Sequence, residues 1–385
     1  MKLADANLAD ATRRIHATLP VVDGHNDLPW EIRVRAEGSL DVADPRTRLD
    51  GYHTDLPRMI EGGVGVQFWS VFVPTWVTDP LAATHRQIDL VEEMAEMAPN
   101  FTALAGTATE ARRIRDDGRI AGFMGAEGGH SIESDLAALG ELYQRGVRYM
   151  TLTHADTNDW ADSATDEALH GGLTEFGQEV VREMNRLGML IDISHVSPDT
   201  MRQAIEASST PVIASHSSAF ALAPHPRNIP DDVIEMIAAN RGAIMVTFVP
   251  AFLVHDTAVA ALDMFEELRK LREQFDPEDE VAYSAASRTV QQGLDEEHGS
   301  VADVVDHIEH IARVAGVEHV GIGSDFDGVE HLPDGLEDAS CYPAITEELL
   351  ERDWTEPDIR KVLGENALRV LEEAEEKAVG IGIRQ

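Results

Sequence analysis

Short apolar runs recur along the chain, separated by stretches with helical periodicity. Eight stand out: Val21–Asp27, Val64–Val73, Ile120–Ala126, Arg148–His154, Leu190–His195, Pro211–His216, Ala243–Phe248 and Val320–Asp325. Most are rich in Val, Ile and Met, and several are nearly continuous, as expected of parallel strands buried on both faces. Amphipathic segments lie between them. Thr174–Leu187 places Phe176, Val180, Val181, Met184 and Leu187 at helical spacing. Ser134–Arg145 starts with acidic Asp135 in its first turn, and Pro230 before Asp231 and Asp232 marks another helix start. Helices are also expected at 81–98, 109–115, 198–207, 231–239 and 301–315.

Eight strand–helix repeats without a Gly-rich phosphate turn favour a closed (β/α)8 barrel over an open doubly wound sheet. The expected organisation is one barrel domain over residues 1–385. The stretch 254–299, acidic and helix-prone around Met264–Phe275, reads as an excursion after the seventh strand.

Hydrophobic residues make up 43% of the 385, which permits a sizeable core. No apolar stretch approaches the length of a membrane span. The start, Met1-Lys2-Leu3-Ala4-Asp5, has no apolar leader core, and the residues from Glu372 to Gln385 carry no hydrophobic tail. A cytoplasmic protein that does not engage membranes is expected. The single cysteine, Cys341, excludes an internal disulfide and a Cys-based metal cluster. A metal must then be held by His, Asp and Glu.

Charge adds a further constraint. Seventy acidic residues face 31 basic ones, a net of −39, and only Lys2, Lys270, Lys361 and Lys377 are lysines. Such a chain repels phosphates, so nucleic acid is not an expected partner. The composition fits a halophilic protein: in molar salt the Debye length falls to about 3 Å, which screens self-repulsion.

The chemistry gathers at the strand ends. The first run ends Asp23-Gly-His25-Asn-Asp27, the third leads into Glu127-Gly-Gly-His130, and the others end at His154, His195, His216 and Asp325. In a barrel the C-terminal strand ends form one rim, which carries the active site. Strand residues two apart point the same way, so His25 and Asp27 can reach one cation. His195 and His216 end adjacent strands and can share another. A buried carboxylate at Glu127 is costly unless partnered, and the glycines after it permit close backbone approach. Its expected role is a bridge between two cations. N and O donors suit two Zn2+, with Mn2+ or Co2+ as substitutes. Two ions sharing a hydroxide would supply a nucleophile and polarise a carbonyl. His130 reads as structural.

Long segments resemble the membrane (renal) dipeptidase family of metallopeptidases. They include Asp23-Gly-His-Asn-Asp-Leu-Pro29, Glu127-Gly-Gly-His-Ser-Ile132, Arg148-Tyr-Met-Thr-Leu-Thr-His154, Ile191-Asp-Ile-Ser-His-Val-Ser197, Arg227-Asn-Ile-Pro-Asp-Asp232 and Gly321-Ile-Gly-Ser-Asp-Phe-Asp-Gly328. The resemblance implies a binuclear zinc centre, with His25 and Asp27 on one ion, His195 and His216 on the other, and Glu127 bridging. It adds His154, Arg227 and Asp325 as substrate residues, and implies dipeptide substrates with free ends and a homodimer. Arg227 suits a carboxylate, His154 an oxyanion, and Asp325 an amino group or a proton shuttle. Glu127, Asp325 and His154 are the expected catalytic groups. The competing functions are an amidohydrolase-like enzyme acting on another amide or lactone, and a non-enzymatic metal-binding protein; a site with an intact ligand set and an arginine favours the dipeptidase.

The charge balance makes one measurable demand. Thermal melting in dilute buffer and in molar KCl should show a melting temperature that climbs with salt; a flat or falling curve contradicts the halophilic reading.

Overall fold

The computed structural model describes residues 5–378 apart from 273, 277–278 and 293–296. Among the described residues there are nine parallel strands: β1 (Val21–Asn26), β2 (Val64–Ser70), β3 (Thr102–Leu104), β4 (Ile120–Glu127), β5 (Val147–Thr151), β6 (Leu190–Asp192), β7 (Ile213–Ala214), β8 (Ala243–Val246) and β9 (Val320–Ile322). Their order is β2-β1-β9-β8-β7-β6-β5-β4-β3, and β2 also pairs with β4. That pairing closes an eight-stranded ring with helices around it, a (β/α)8 barrel.

The eight ring strands coincide with the eight apolar runs. The ninth, β3, was not expected. It pairs with Ile120–Gly122 of β4, while β5 pairs with Met124–Glu127 and β2 spans Ala121–Gly125. A strand has two edges, so β3 occupies the lower half of the edge whose upper half holds β5.

Alternate strand residues separate into two layers, as a two-residue period demands. Val22, Phe68, Phe123, Tyr149, Leu190, Ile213 and Met245 pack together and against the helix Asn366–Lys377. Phe68 stacks on Phe123 with ring centroids 4.9 Å apart. Their neighbours Val21, Trp69, Met124, Met150, Ile191, Ala214 and Ile244 pack with the surrounding helices.

Helix starts follow local chemistry. Asp79, Thr107, Thr174 and Ser197 each accept a hydrogen bond from a first-turn backbone N–H. Asp135 does so from Ala137 N at 2.8 Å, so it caps the helix Leu136–Gln144 rather than standing in its first turn.

After β8 the chain leaves the ring. A short turn of helix, Pro250–Leu253, leads into helices His255–Arg272 and Glu280–Gln292, and the helix Val301–Ala315 then returns to β9. Parts of the expected excursion (273, 277–278 and 293–296) and of the expected domain (1–4 and 379–385) lie outside the described residues. Arg33 pairs with Glu280 at 2.9 Å, and Arg288 pairs with Glu31 at 2.7 Å and with Glu330. These bridges tie the second excursion helix to the barrel rim.

One glycine decides whether the ring can close tightly. A Cβ on Gly323 would lie 1.8 Å from the carbonyl oxygen of Ser215 and 3.0 Å from Cβ of Met245. Gly323 follows β9 and Ser215 follows β7, so the contact crosses the barrel interior past β8. Gly323→Ala should therefore destabilise the fold by about 2 kcal/mol, in the range for overpacked cores, seen as a lower denaturant midpoint at unchanged slope. An unshifted midpoint would show that the strand ends can spread.

Candidate metal centre and active site

Seven of the strand-end residues, His25, Asp27, Glu127, His154, His195, His216 and Asp325, meet at one end of the barrel. Glu127, buried at the end of β4, stands in the middle. One oxygen, Oε2, lies 3.4 Å from His25 Nε2 and accepts from Ser70 Oγ at 3.0 Å. The other, Oε1, lies 3.1 Å from His195 Nε2, 3.4 Å from His216 Nε2 and 3.7 Å from His154 Nε2. The carboxylate thus divides its oxygens between two groups of imidazoles, the geometry expected of a bridge.

His25 Nε2 is also 3.2 Å from Asp27 Oδ2 and 4.0 Å from Asp325 Oδ1. His195 and His216 face each other, Nε2 to Nε2, at 2.8 Å. Two imidazoles that close share a proton or a cation. Three overlapping sets result, each with donor atoms within 4.8 Å: His25, Glu127 and His216; Glu127, His154 and His195; His25, Asp27 and Asp325.

The donor set fits a divalent cation. Asp27, Glu127 and Asp325 find only histidines as ion-pair partners among the described residues. Asp27 Oδ1 is buried and has no hydrogen-bond partner at all, an orphan of the kind a bound ion satisfies. Burial pushes His195 and His216 well below the usual imidazole range, which keeps their nitrogens free as ligands. Burial also raises Asp325 to about 8, against the pull of His25. His25 is desolvated too, but Tyr149, Glu127 and Asp27 outweigh this and hold its affinity for positive charge high.

Backbone conformation aims several of these groups. β1 ends at Asn26, with a register shift against β2, so Asp27 lies past the strand and simple alternation does not apply to it. Its side chain makes no capping bond to the helix Leu28–Arg35; it turns to His25 instead. After Glu127 the chain needs Gly128 (φ +118) and Gly129, where a Cβ would lie 2.4 Å from Leu152 O. His195 (φ 66) and Asp325 (φ 65) adopt left-handed conformations that are uncommon outside glycine.

Sequence reading missed the residues that hold the ligands. Tyr149, in the core of β5, reaches across the interior and places its hydroxyl 2.8 Å from His25 Nδ1. Asp192 accepts from Ser215 N (2.9 Å), Ser215 Oγ (2.6 Å) and Thr151 Oγ1 (2.7 Å), and Ser215 Oγ lies 2.8 Å from His216 Nδ1. Asp23 accepts from Ser324 N and Ser324 Oγ, both at 2.7 Å, and from Tyr342 OH at 2.8 Å. A carboxylate two residues ahead of His25 and another three ahead of His195 were the available signal. His130 stays off the cluster, with Nε2 2.9 Å from Val73 O.

Above the cluster lies a cavity of ≈ 490 Å³. Asp27, Glu127, His154, His195, Arg227 and Asp325 form its floor; Phe72, Trp76, Phe252, Met264, Leu268 and Tyr283 are among its apolar walls. Arg227 is buried, bonded to Ser217 Oγ (3.2 Å) and His216 O (3.1 Å), and burial brings its guanidinium down to about 10. Its guanidinium carbon lies 5.1 Å from the Phe252 ring centre, and its Nε has no partner. Met264, Leu268 and Tyr283 belong to the two excursion helices, which therefore border the mouth.

Tyr149→Phe isolates one of the supporting bonds. It should lower metal affinity about 10–100-fold, the usual cost of losing a partner behind a ligating histidine, with the fold intact. Chelator competition monitored by metal content measures this; wild-type affinity in the variant would remove Tyr149 from the centre.

Comparison with known proteins agrees with this architecture. The model of the membrane dipeptidase family, peptidase family M19, matches residues 9–381. The probable dipeptidase PvdM from Pseudomonas aeruginosa is 25% identical, with a TM-score of 0.81 over 97% of this chain and 100% of its own. The dipeptidase AC, a metallopeptidase of family M19, is 27% identical, with a TM-score of 0.75 over 93% of this chain and 99% of its own. A metallopeptidase from Rhodobacter sphaeroides, liganded with a phosphinate mimic of the dipeptide L-Ala-D-Ala, is 26% identical, with a TM-score of 0.73 over 92% of this chain and 99% of its own. This chain belongs to the membrane dipeptidase family, M19, and is a metallo-dipeptidase.

Proposed function

We propose that the enzyme is a zinc-dependent dipeptidase acting on dipeptides with free amino and carboxyl ends. The observation that carries the reading is the divided carboxylate of Glu127, in the same cavity as the buried guanidinium of Arg227, which has no ion-pair partner among the described residues. His25 and Asp27 would hold one ion, His195 and His216 a second, and Glu127 both. Imidazole and carboxylate donors suit Zn2+. When bound, the ions supply Lewis acidity and lower the pKa of water.

The remaining groups bind and orient. Arg227 presents a planar fork to the terminal carboxylate of the substrate. Its burial favours this, because a desolvated cation gains more from an incoming anion than an exposed one. His154, 3.7 Å from Glu127 and stacked near His195 with centroids 4.3 Å apart, is placed to donate to the oxyanion of the tetrahedral intermediate. Asp325 faces the same space and is suited to receive the substrate amino group or to pass a proton to the leaving amine. The phosphinate dipeptide mimic on the Rhodobacter protein supports a tetrahedral centre of this kind and a D-residue at the second position. The net charge of −39 supports a working environment of high salt.

The test combines metal removal with a matched pair of substrates. Chelator-stripped protein should lose turnover of Ala-Ala and regain it with zinc. Arg227→Ala should cut kcat/KM for Ala-Ala by about 100-fold while barely altering the slower hydrolysis of C-terminally amidated Ala-Ala. Equal losses on both substrates would contradict the carboxylate role, and turnover that survives metal removal would contradict the metal role.

A further inference from the structure

The cavity holds a second arginine that the proposed chemistry does not use. Arg227, Arg269 and Arg272 all line it. Arg269 is committed to Asp166 at 3.3 Å and to Thr165 O. Arg272 makes no ion-pair contact among the described residues; its guanidinium carbon rests over the Trp76 ring, 4.9 Å from the centroid. Tyr283, from the other excursion helix, meets the same ring edge-on at 5.2 Å.

This is unusual in a chain with 70 acidic and 31 basic residues. A third arginine of the excursion helices, Arg288, bridges two carboxylates. A half-buried arginine surrounded by so much negative charge would ordinarily be paired. Asp156 is the nearest acidic influence on Arg272, but it takes a hydrogen bond from Thr75 Oγ1 and stops short of contact. Aromatic stacking fixes the plane of the guanidinium and leaves its N–H edge for an anion.

Position separates this cation from the first. Arg227 follows β7 and sits against Ser217, His216 and Phe252. Trp76 and Asp156, beside Arg272, follow β2 and β5, on another part of the rim. The reading above assigns the terminal carboxylate to Arg227, beside Glu127 and His195. A second anionic group on the same substrate is what the other would take, and in a dipeptide that group is a side-chain carboxylate.

We propose that Arg272 is a specificity-determining residue and that the enzyme prefers dipeptides carrying an acidic side chain, glutamate or aspartate. The proposal rests on the dipeptidase reading above. It gives the excursion helices a function: they deliver a cation to the cavity roof that the barrel itself does not provide.

The experiment uses the full-length zinc-loaded enzyme and isosteric substrate pairs, Glu-Ala against Gln-Ala and Ala-Glu against Ala-Gln, at one fixed salt concentration. In each pair only the charge differs. The wild type should favour the acidic member of at least one pair by about tenfold in kcat/KM, through KM. Arg272→Met keeps a flexible stem over Trp76 and should bring that ratio close to one; Arg272→Lys should retain most of it. Parity in both pairs for the wild type overturns the proposal. So does an Arg272→Met variant that slows both members of a pair equally, since that is the signature of a structural wall. Absence of turnover on every dipeptide, with the ions bound, overturns the dipeptidase reading itself and this proposal with it.

Discussion

Everything at the mouth of the barrel is arranged around one buried carboxylate. Glu127 is 4% exposed, and an isolated ion at that depth would be strongly disfavoured. Its oxygens are held instead by Ser70 and by imidazoles from the ends of β1, β6 and β7 and from the loop after β5. Among the imidazoles His25 and His216 are fully buried, and His154 and His195 are partly so. Each side of this arrangement is stable only with the other, and a bound cation would complete the balance. The same demand explains the two glycines after Glu127, because the backbone must turn at once against Leu152 and Trp160.

Behind the clustered side chains a single device occurs twice. Asp23 on β1 accepts the backbone N–H and the hydroxyl of Ser324, at the end of neighbouring β9. Asp192 on β6 accepts the backbone N–H and the hydroxyl of Ser215, at the end of neighbouring β7. In each case the residue after the serine, Asp325 or His216, enters the site. A buried carboxylate clamping the next strand fixes the direction of a site residue more firmly than strand pairing does, since the ladder itself is only two or three residues long there. Met245 fills the interior beneath, in room left by Gly24 and Gly323.

The barrel supplies the reaction geometry, and the excursion after β8 supplies the walls. Its helices add Met264, Leu268 and Tyr283 to the cavity and are fastened through Arg33, Arg288 and Arg269. In a protein this acidic, positive charge is the scarce component, and its placement is informative. Most of the partly buried arginines hold carboxylates or carbonyls of the protein; Arg227 and Arg272 face the cavity.

The primary structure by itself determined the ring and most of the rim. Buried parallel strands leave continuous apolar runs, so eight ring strands were legible, and polar residues that interrupt such runs at their ends were legible as chemistry. β3 was not, because Thr102–Leu104 is three residues long and is stabilised by a free half-edge of β4 that only the register reveals. Tyr149 and Asp192 looked like interior strand residues, and their contacts to His25 and Ser215 join elements far apart in the chain. The left-handed backbone at His195 and Asp325 was equally hidden, since neither residue type announces it. Local pattern records what each segment buries. Which donors converge on Glu127, and which arginine makes no ion pair among the described residues, depends on distances between segments, and those exist only once the ring has closed.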